Sequence, residues 1–156
     1  MRDLEKIRKV DEYLNIPDKD RDFEVFNAGN KGRGVRTTRR FKKDEILMEY
    51  KGEILNYKEG KERHKNYTEE HGSYLYSFEF EGKKYWCDAT RNTEDFGRLI
   101  NHGIKNANAK VKVNKIGERL RLVIKAIKTI EPKTEILYDY GEKDPTIIKE
   151  NPWLKD

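Results

Sequence analysis

Four aromatic side chains at alternate positions, Tyr74, Tyr76, Phe78 and Phe80, constrain this chain more than any other stretch. A period of two places them on one face of an extended strand, where aromatic rings pack well on the pleated surface. Glu81-Gly82 then supplies a turn and residues 84–88 run back, so the stretch predicts a β-hairpin with an aromatic face. Further short strands are predicted at residues 23–26, 35–38 and 46–50. A second hairpin is predicted from 110–113 and 119–127, turning around 114–117. Leu4, Ile7, Val10 and Leu14 recur at helical spacing and predict an amphipathic helix that ends before Pro17. Residues 57–71 predict a second, polar helix, with Gly60 working against it. Pro132, Pro145 and Pro152 mark turns. There is no repeat, linker or low-complexity segment. The pattern is that of a compact, mainly-β domain with short helices.

A chain of 156 residues is expected to form one domain able to bury a sizeable core. The charged fraction is 40%, but an aromatic share of 11% argues against disorder. Cys87 is the one cysteine, so no internal disulfide can form, no structural zinc site of the usual kind is expected, and a reducing compartment fits. No apolar run approaches the ~20 residues of a membrane span. Residues 1–6 lack the apolar core of a signal peptide, and the sequon Asn66-Tyr67-Thr68 is then read as a chance match. A net charge of +5 suits contact with nucleic acid or simply a solvated lysine-rich surface. The basic run Arg39-Arg40-Phe41-Lys42-Lys43 allows the same two readings, and that of an import signal.

Gly29, Gly32 and Gly34 match neither a dinucleotide fingerprint nor a phosphate-binding P-loop, and a strand rather than a helix follows them. They suit either a turn requiring positive φ or a close backbone approach to a ligand faced by Lys31 and Arg33. Two further segments carry the chemistry. One is Arg98-Leu99-Ile100-Asn101-His102-Gly103; the other is Leu137-Tyr138-Asp139-Tyr140-Gly141. Alone, each suits hydrogen-bonded core and turn residues. No Cys-His pair, H-E-x-x-H or G-x-S-x-G motif competes with them, and His64, His71 and His102 share no ligand spacing.

Together, behind Lys31-Gly32-Arg33-Gly34-Val35, the segments resemble the active site of SET-domain protein lysine methyltransferases. The resemblance extends over residues 23–156. It is greatest to the group that monomethylates lysine twenty of histone H4, through Glu49-Tyr50-Lys51-Gly52, Cys87-Asp88-Ala89-Thr90-Arg91 and Asn151-Pro152-Trp153-Leu154-Lys155. It implies a SET fold, small sheets around a pseudoknot, with residues 1–22 as an N-terminal helical flank, 23–144 as the SET domain and 145–156 as a closing segment with a short helix.

The resemblance also implies roles. Tyr140 borders the methyl-transfer pore as the essential catalytic residue. Tyr50 and Tyr74 line the lysine channel, and Tyr138 sets the number of methyl groups added, here one. Lys31, Gly32, Arg33, Tyr74, Arg98, Asn101 and His102 form the shell of the S-adenosylmethionine cofactor, and Trp153 packs on its adenine. The reaction needs a neutral amine held in line with the donor methyl, although free lysine has a pKa near ~10.4. A narrow aromatic channel that excludes water serves both needs. The implied substrate is a histone H4 tail or nucleosome in the nucleus, on chromatin. Non-specific DNA contact through the basic surface, no membrane partner and a monomer are also expected. Acidic candidates for peptide recognition are Asp88, Glu94, Asp95 and Asp139, each equally suited to a turn or cap. Two departures from the family pattern stand out: Gly103 replaces a common serine, and the stretch between Tyr50 and Tyr74 is slightly short. The other readings are an inactive SET fold that binds peptide, and a small nucleic-acid-binding protein.

Overall fold

The computed structural model describes residues 2–70, 74–91 and 94–139. Helix α1 (Arg2–Asn15) is followed by β1 (Phe23–Asn27), β2 (Arg33–Thr37), β3 (Ile46–Glu49) and β4 (Glu53–Asn56). Then come helix α2 (Tyr57–Glu70), the hairpin of β5 (Leu75–Phe80) and β6 (Lys83–Asp88), and a 3₁₀ turn at Gly97–Leu99. The chain continues through β7 (Asn101–His102), β8 (Ala109–Ile116), β9 (Arg119–Ala126) and β10 (Leu137–Tyr138). The strands form four small sheets, in the orders β1-β2, β10-β7, β3-β9-β8 and β4-β6-β5. The mainly-β class is as expected. The closing helix expected near the C-terminus lies outside the described residues.

The aromatic hairpin forms as its alternation demands. Tyr76, Phe78 and Phe80 are half-buried, while Ser77 and Glu79 between them are exposed. Glu81 and Gly82 both take positive φ, +49° and +79°, as a two-residue type I′ turn requires. The second hairpin departs from expectation. Its strands do not stop at 114–117: Asn114 pairs with Arg121 and Lys115 with Leu120, leaving only Gly117-Glu118 to turn. Gly117, at φ +65°, supplies the bend at the first turn position, so the polar residues before it stay in the ladder.

Helix α2 runs through Gly60 rather than breaking there. Asn56 caps its start, accepting from the Glu59 amide at 2.9 Å and donating back to the Glu59 carboxylate at 3.0 Å. Gly60 itself is buried, because Trp86 of β6 occupies the space a side chain would take. The glycine lowers helix propensity in exchange for close packing of α2 on its sheet.

Strand β9 is buried on both faces. Leu122 and Ile124 enter the main core, whereas Arg121 and Val123 alternate with them and face the other way. Helix α1 is held beside this second face. Its Leu14 is fully buried, and the Tyr13 hydroxyl donates to the Leu47 carbonyl of β3 at 3.3 Å. The basic run at 39–43 is anchored rather than free. Phe41 is fully buried and stacks on Phe23 at 5.3 Å, Arg39 lies over its ring and bonds Asp22 and Glu45, and Arg40 pairs with Glu131. Among the described residues, no helix is long and apolar enough to cross a membrane.

Gly60→Ala tests the packing of α2. Helix propensity alone would stabilise the variant by about 1 kcal/mol. An added Cβ, however, would sit 2.1 Å from the Trp86 ring, and overpacking of that kind costs about 1–3 kcal/mol. Urea denaturation should show a net loss of stability; a variant more stable than the parent would contradict the packing.

Candidate active site

The two motif segments meet in a parallel pairing. Asn101 lies beside Leu137 and His102 beside Tyr138, although a whole hairpin separates them in sequence. The Gly103 amide donates to the Tyr138 carbonyl at 3.1 Å. Asn108 completes the pairing from a buried position: its amide donates to the Leu137 carbonyl, its side-chain oxygen accepts from the Leu137 amide, and its side-chain nitrogen donates to the Glu135 carbonyl. One asparagine thus supplies the hydrogen bonds of a missing strand. Gly103 packs its backbone against Leu137; a Cβ there would lie 3.2 Å from that side chain, so a serine would require Leu137 to give way.

The glycine-rich turn joins this centre through β2. Gly32 takes φ +78° ahead of Arg33, the first residue of β2 and itself exposed. Gly34 provides a close approach, but to protein: a Cβ would lie 2.5 Å from Glu135 Oε2 and 3.0 Å from Asn101 Nδ2. Into that space Asn101 donates both amide hydrogens, to the Arg33 carbonyl at 3.1 Å and to Glu135 Oε2 at 2.9 Å. Its side-chain oxygen is what it offers a further partner. His102 is buried, with Nδ1 3.9 Å from Asp139 Oδ1.

The tyrosines divide into two groups. Tyr50 and Tyr138, both buried, converge on Tyr76: the Tyr50–Tyr76 centroids are 5.6 Å apart and the Tyr76–Tyr138 rings meet edge-on at 6.1 Å. The sequence pattern marks Tyr76 as a strand-face aromatic, and the resemblance points to Tyr74 rather than to Tyr76 as a site residue. Both lie on the same alternating run, but Tyr76 pairs in register with Cys87, whose small side chain donates to the Tyr50 carbonyl. Burial, reinforced by the charge of Asp139, raises the pKa of Tyr76, keeping its hydroxyl protonated. Tyr74 instead lies under the Arg98 guanidinium, 4.3 Å from its ring centroid. Arg98 donates to the carbonyls of Ala89 and Thr90, while its buried Nε has no acceptor among the described residues. A buried, unmet cationic donor beside an aromatic face suits a ligand carrying an anionic or carbonyl oxygen.

Cys87 offers no nucleophile. Burial first, then the charges of Glu49 and Asp88, push its thiol up to about 12. Of the acidic candidates, Asp88 is buried, pairs with Arg63 at 3.1 Å and caps the Thr90 amide, so it is committed to the fold. Asp95 lies 3.6 Å from Lys51. Tyr140 and Trp153 lie outside the described residues, and of Lys31 only the backbone, in the turn before Gly32, is described. The arrangement is a packed cluster of tyrosine rings, Tyr50, Tyr76 and Tyr138, in the same small domain as the polar residues Arg98, Asn101 and His102. Asp139, whose charge acts on Tyr76, stands 3.9 Å from His102 at the edge of the cluster.

Comparison with known proteins identifies the fold family. A family model described as the SET domain matches residues 32–141. The chain is 41% identical over 134 residues to histone-lysine N-methyltransferase set-1 of Caenorhabditis elegans, covering 85% of this chain and 55% of that protein. It is 34% identical over 154 residues to N-lysine methyltransferase KMT5A of Xenopus tropicalis, covering 97% of this chain and 45% of that protein. The crystal structure of CpSET8 from Cryptosporidium superposes with a TM-score of 0.71 at 35% identity, covering 79% of this chain and 59% of that one. The chain therefore spans about half the length of the curated relatives it matches. With the paired Asn101-His102 and Leu137-Tyr138 strands at its centre, the chain belongs to the SET-domain family.

Proposed function

We propose that this chain is an S-adenosylmethionine-dependent protein lysine methyltransferase that adds one methyl group to lysine twenty of histone H4, acting in the nucleus on chromatin. The observation that carries this reading is the pairing of β7 with β10, which seats Tyr138 beside His102 and against the Tyr76 ring, which in turn meets Tyr50. The names of relatives as histone-lysine and N-lysine methyltransferases support the reaction class. The cofactor, when bound, supplies a methyl group activated on a sulfonium.

The residues fit that cofactor. Arg98, with an unmet Nε, suits its carboxylate, and the Asn101 side-chain oxygen suits one of its amino groups. His102 and the backbone around Gly32 and Arg33 complete the shell, and Tyr74, under the Arg98 guanidinium, lies at its edge. Tyr50, Tyr76 and Tyr138 take the aliphatic stem of the lysine out of water, which favours the neutral amine. The Tyr138 hydroxyl fills space that a methylated amine would need to turn and react again, and this limits the product to one methyl. Tyr140, assigned by resemblance, borders the point of transfer.

The test is methyl transfer from S-adenosylmethionine to histone H4 peptides and to recombinant nucleosomes, read by mass spectrometry. The expected product carries one methyl group on lysine twenty and no second. Cofactor binding without transfer to H4 or to a panel of other histones would replace this reading with a non-histone substrate or a peptide-binding module. Two variants examine the tyrosines. Tyr140→Phe should lower turnover roughly a hundredfold while sparing cofactor affinity, as loss of one group aimed at the reacting centre does. Near-normal turnover removes Tyr140 from its role. Tyr138→Phe should shift the product toward dimethyl-lysine; an unchanged product places the limit on methylation elsewhere.

A further inference from the structure

The backbones that carry the two halves of the site come into contact at Gly97. A Cβ on Gly97 would lie 2.6 Å from the Glu49 carbonyl and 2.9 Å from the Tyr50 Cα, so the end of β3 at Glu49-Tyr50 and the turn leading to Arg98, Asn101 and His102 are in direct contact. Polar tethers from residues 11–21 reach both sides of that contact. Asp18, 1% exposed, accepts from the Phe96 amide at 2.8 Å, immediately before Gly97. It also pairs with Arg21, which donates to the Leu47 carbonyl at 2.5 Å, the carbonyl that Tyr13 also bonds.

The third tether passes through a buried guanidinium. Arg121 of β9, its side chain 7% exposed, donates to Glu49 Oε1 from Nη2 at 2.6 Å and from Nε at 3.2 Å. Its Nη1 bonds Asp11 of α1. The hydrogen bonds to Glu49 raise the pKa of Arg121, so it stays charged. The Glu49 side chain is 8% exposed and adjoins Tyr50 in sequence, while the Asp11 side chain is 46% exposed. Arg121 thus bridges helix α1, through Asp11, to Glu49, the residue before Tyr50.

Resting on the lysine methyltransferase reading above, we infer that Asp11, Arg121 and Asp18 are positioning residues: helix α1 and the turn after it set the place of Tyr50 relative to Arg98 and His102. The N-terminal flank is then a working part of the active site. The geometry tolerates little slack, since a displacement of about 1 Å in a reacting constellation can cost about a hundredfold in rate.

Asp11→Asn is the primary variant, because Asp11 is half-exposed and its loss leaves the Arg121–Glu49 pair intact. It should lower kcat about tenfold with KM for the peptide and affinity for S-adenosylmethionine within about twofold of the parent. Hydrogen exchange at the Tyr50 amide, bonded to the Leu122 carbonyl at 2.9 Å, should become faster at a temperature where circular dichroism shows the variant fully folded. Asp11→Glu should restore both readings. Arg121→Lys should show the same effects, because an ammonium cannot hold Glu49 and Asp11 in one fixed fork. Glu12→Gln, which removes an exposed pairing with Arg8 on the same helix, should leave kcat and exchange unchanged. A folded Asp11→Asn protein with kcat within twofold of the parent, or with unchanged exchange at Tyr50, overturns the inference. If the parent chain transfers no methyl group to any lysine substrate, the methyltransferase reading fails by itself, and exchange at Tyr50 decides whether the tether exists.

Discussion

Two residues of parallel strand, Asn101-His102 against Leu137-Tyr138, are the pairing on which the rest of the site depends. Parallel neighbours require a long crossover, and here the crossover is the β8–β9 hairpin, itself part of another sheet. So short a ladder has little stability of its own. It persists because the buried Asn108 side chain and amide meet polar groups of Glu135 and Leu137, and because the Ile136 amide bonds the Val35 carbonyl of β2. Each of these groups would carry a desolvation cost of about 1–3 kcal/mol if left unmet. The site is thus built where several small sheets exchange hydrogen bonds.

The aromatic cluster follows from that pairing and from one small side chain. Tyr138 is placed by β10, Tyr50 by the end of β3 and Tyr76 by β5, three elements of three different sheets. Cys87 joins two of them, standing opposite Tyr76 in the ladder while its thiol meets the Tyr50 carbonyl. A larger residue there would separate the rings. Gly97 performs the same service for the backbones, and both positions owe their identity to close approach rather than to chemistry.

The elements were legible in the sequence wherever a periodic pattern or a turn residue fixed them: the aromatic hairpin, α1 and its stop before Pro17, and the strand after the glycines. The motif pair at Asn101-His102 and Tyr138 was legible as well. What stayed hidden depended on partners distant in sequence. Nothing local marks Asn108 as a surrogate strand, or Gly60 as the seat of Trp86. The alternation that places Tyr74 and Tyr76 on one face cannot say which of them reaches Tyr50, because that is decided by the register against Cys87. Asn114 and Lys115 are polar and read as a turn in the sequence, whereas the ladder and Gly117 fix the bend two residues later.

The charge of the chain shows the same division between local composition and long-range pairing. A net +5 invites a nucleic-acid reading, and the Arg39-Arg40 pair invites it further. Yet Arg21, Arg36, Arg39, Arg40, Arg63 and Arg121 each meet a carboxylate within the fold, most of them far along the chain. The arginines serve as forked ties between small sheets and loops, a task for which a planar guanidinium is suited. Lysines behave differently. Lys110, Lys112 and Lys115 are exposed on β8, an edge strand of the β3-β9-β8 sheet, where charge discourages pairing with another chain. Basic composition here follows from holding together, and keeping apart from neighbours, a domain made of many short strands.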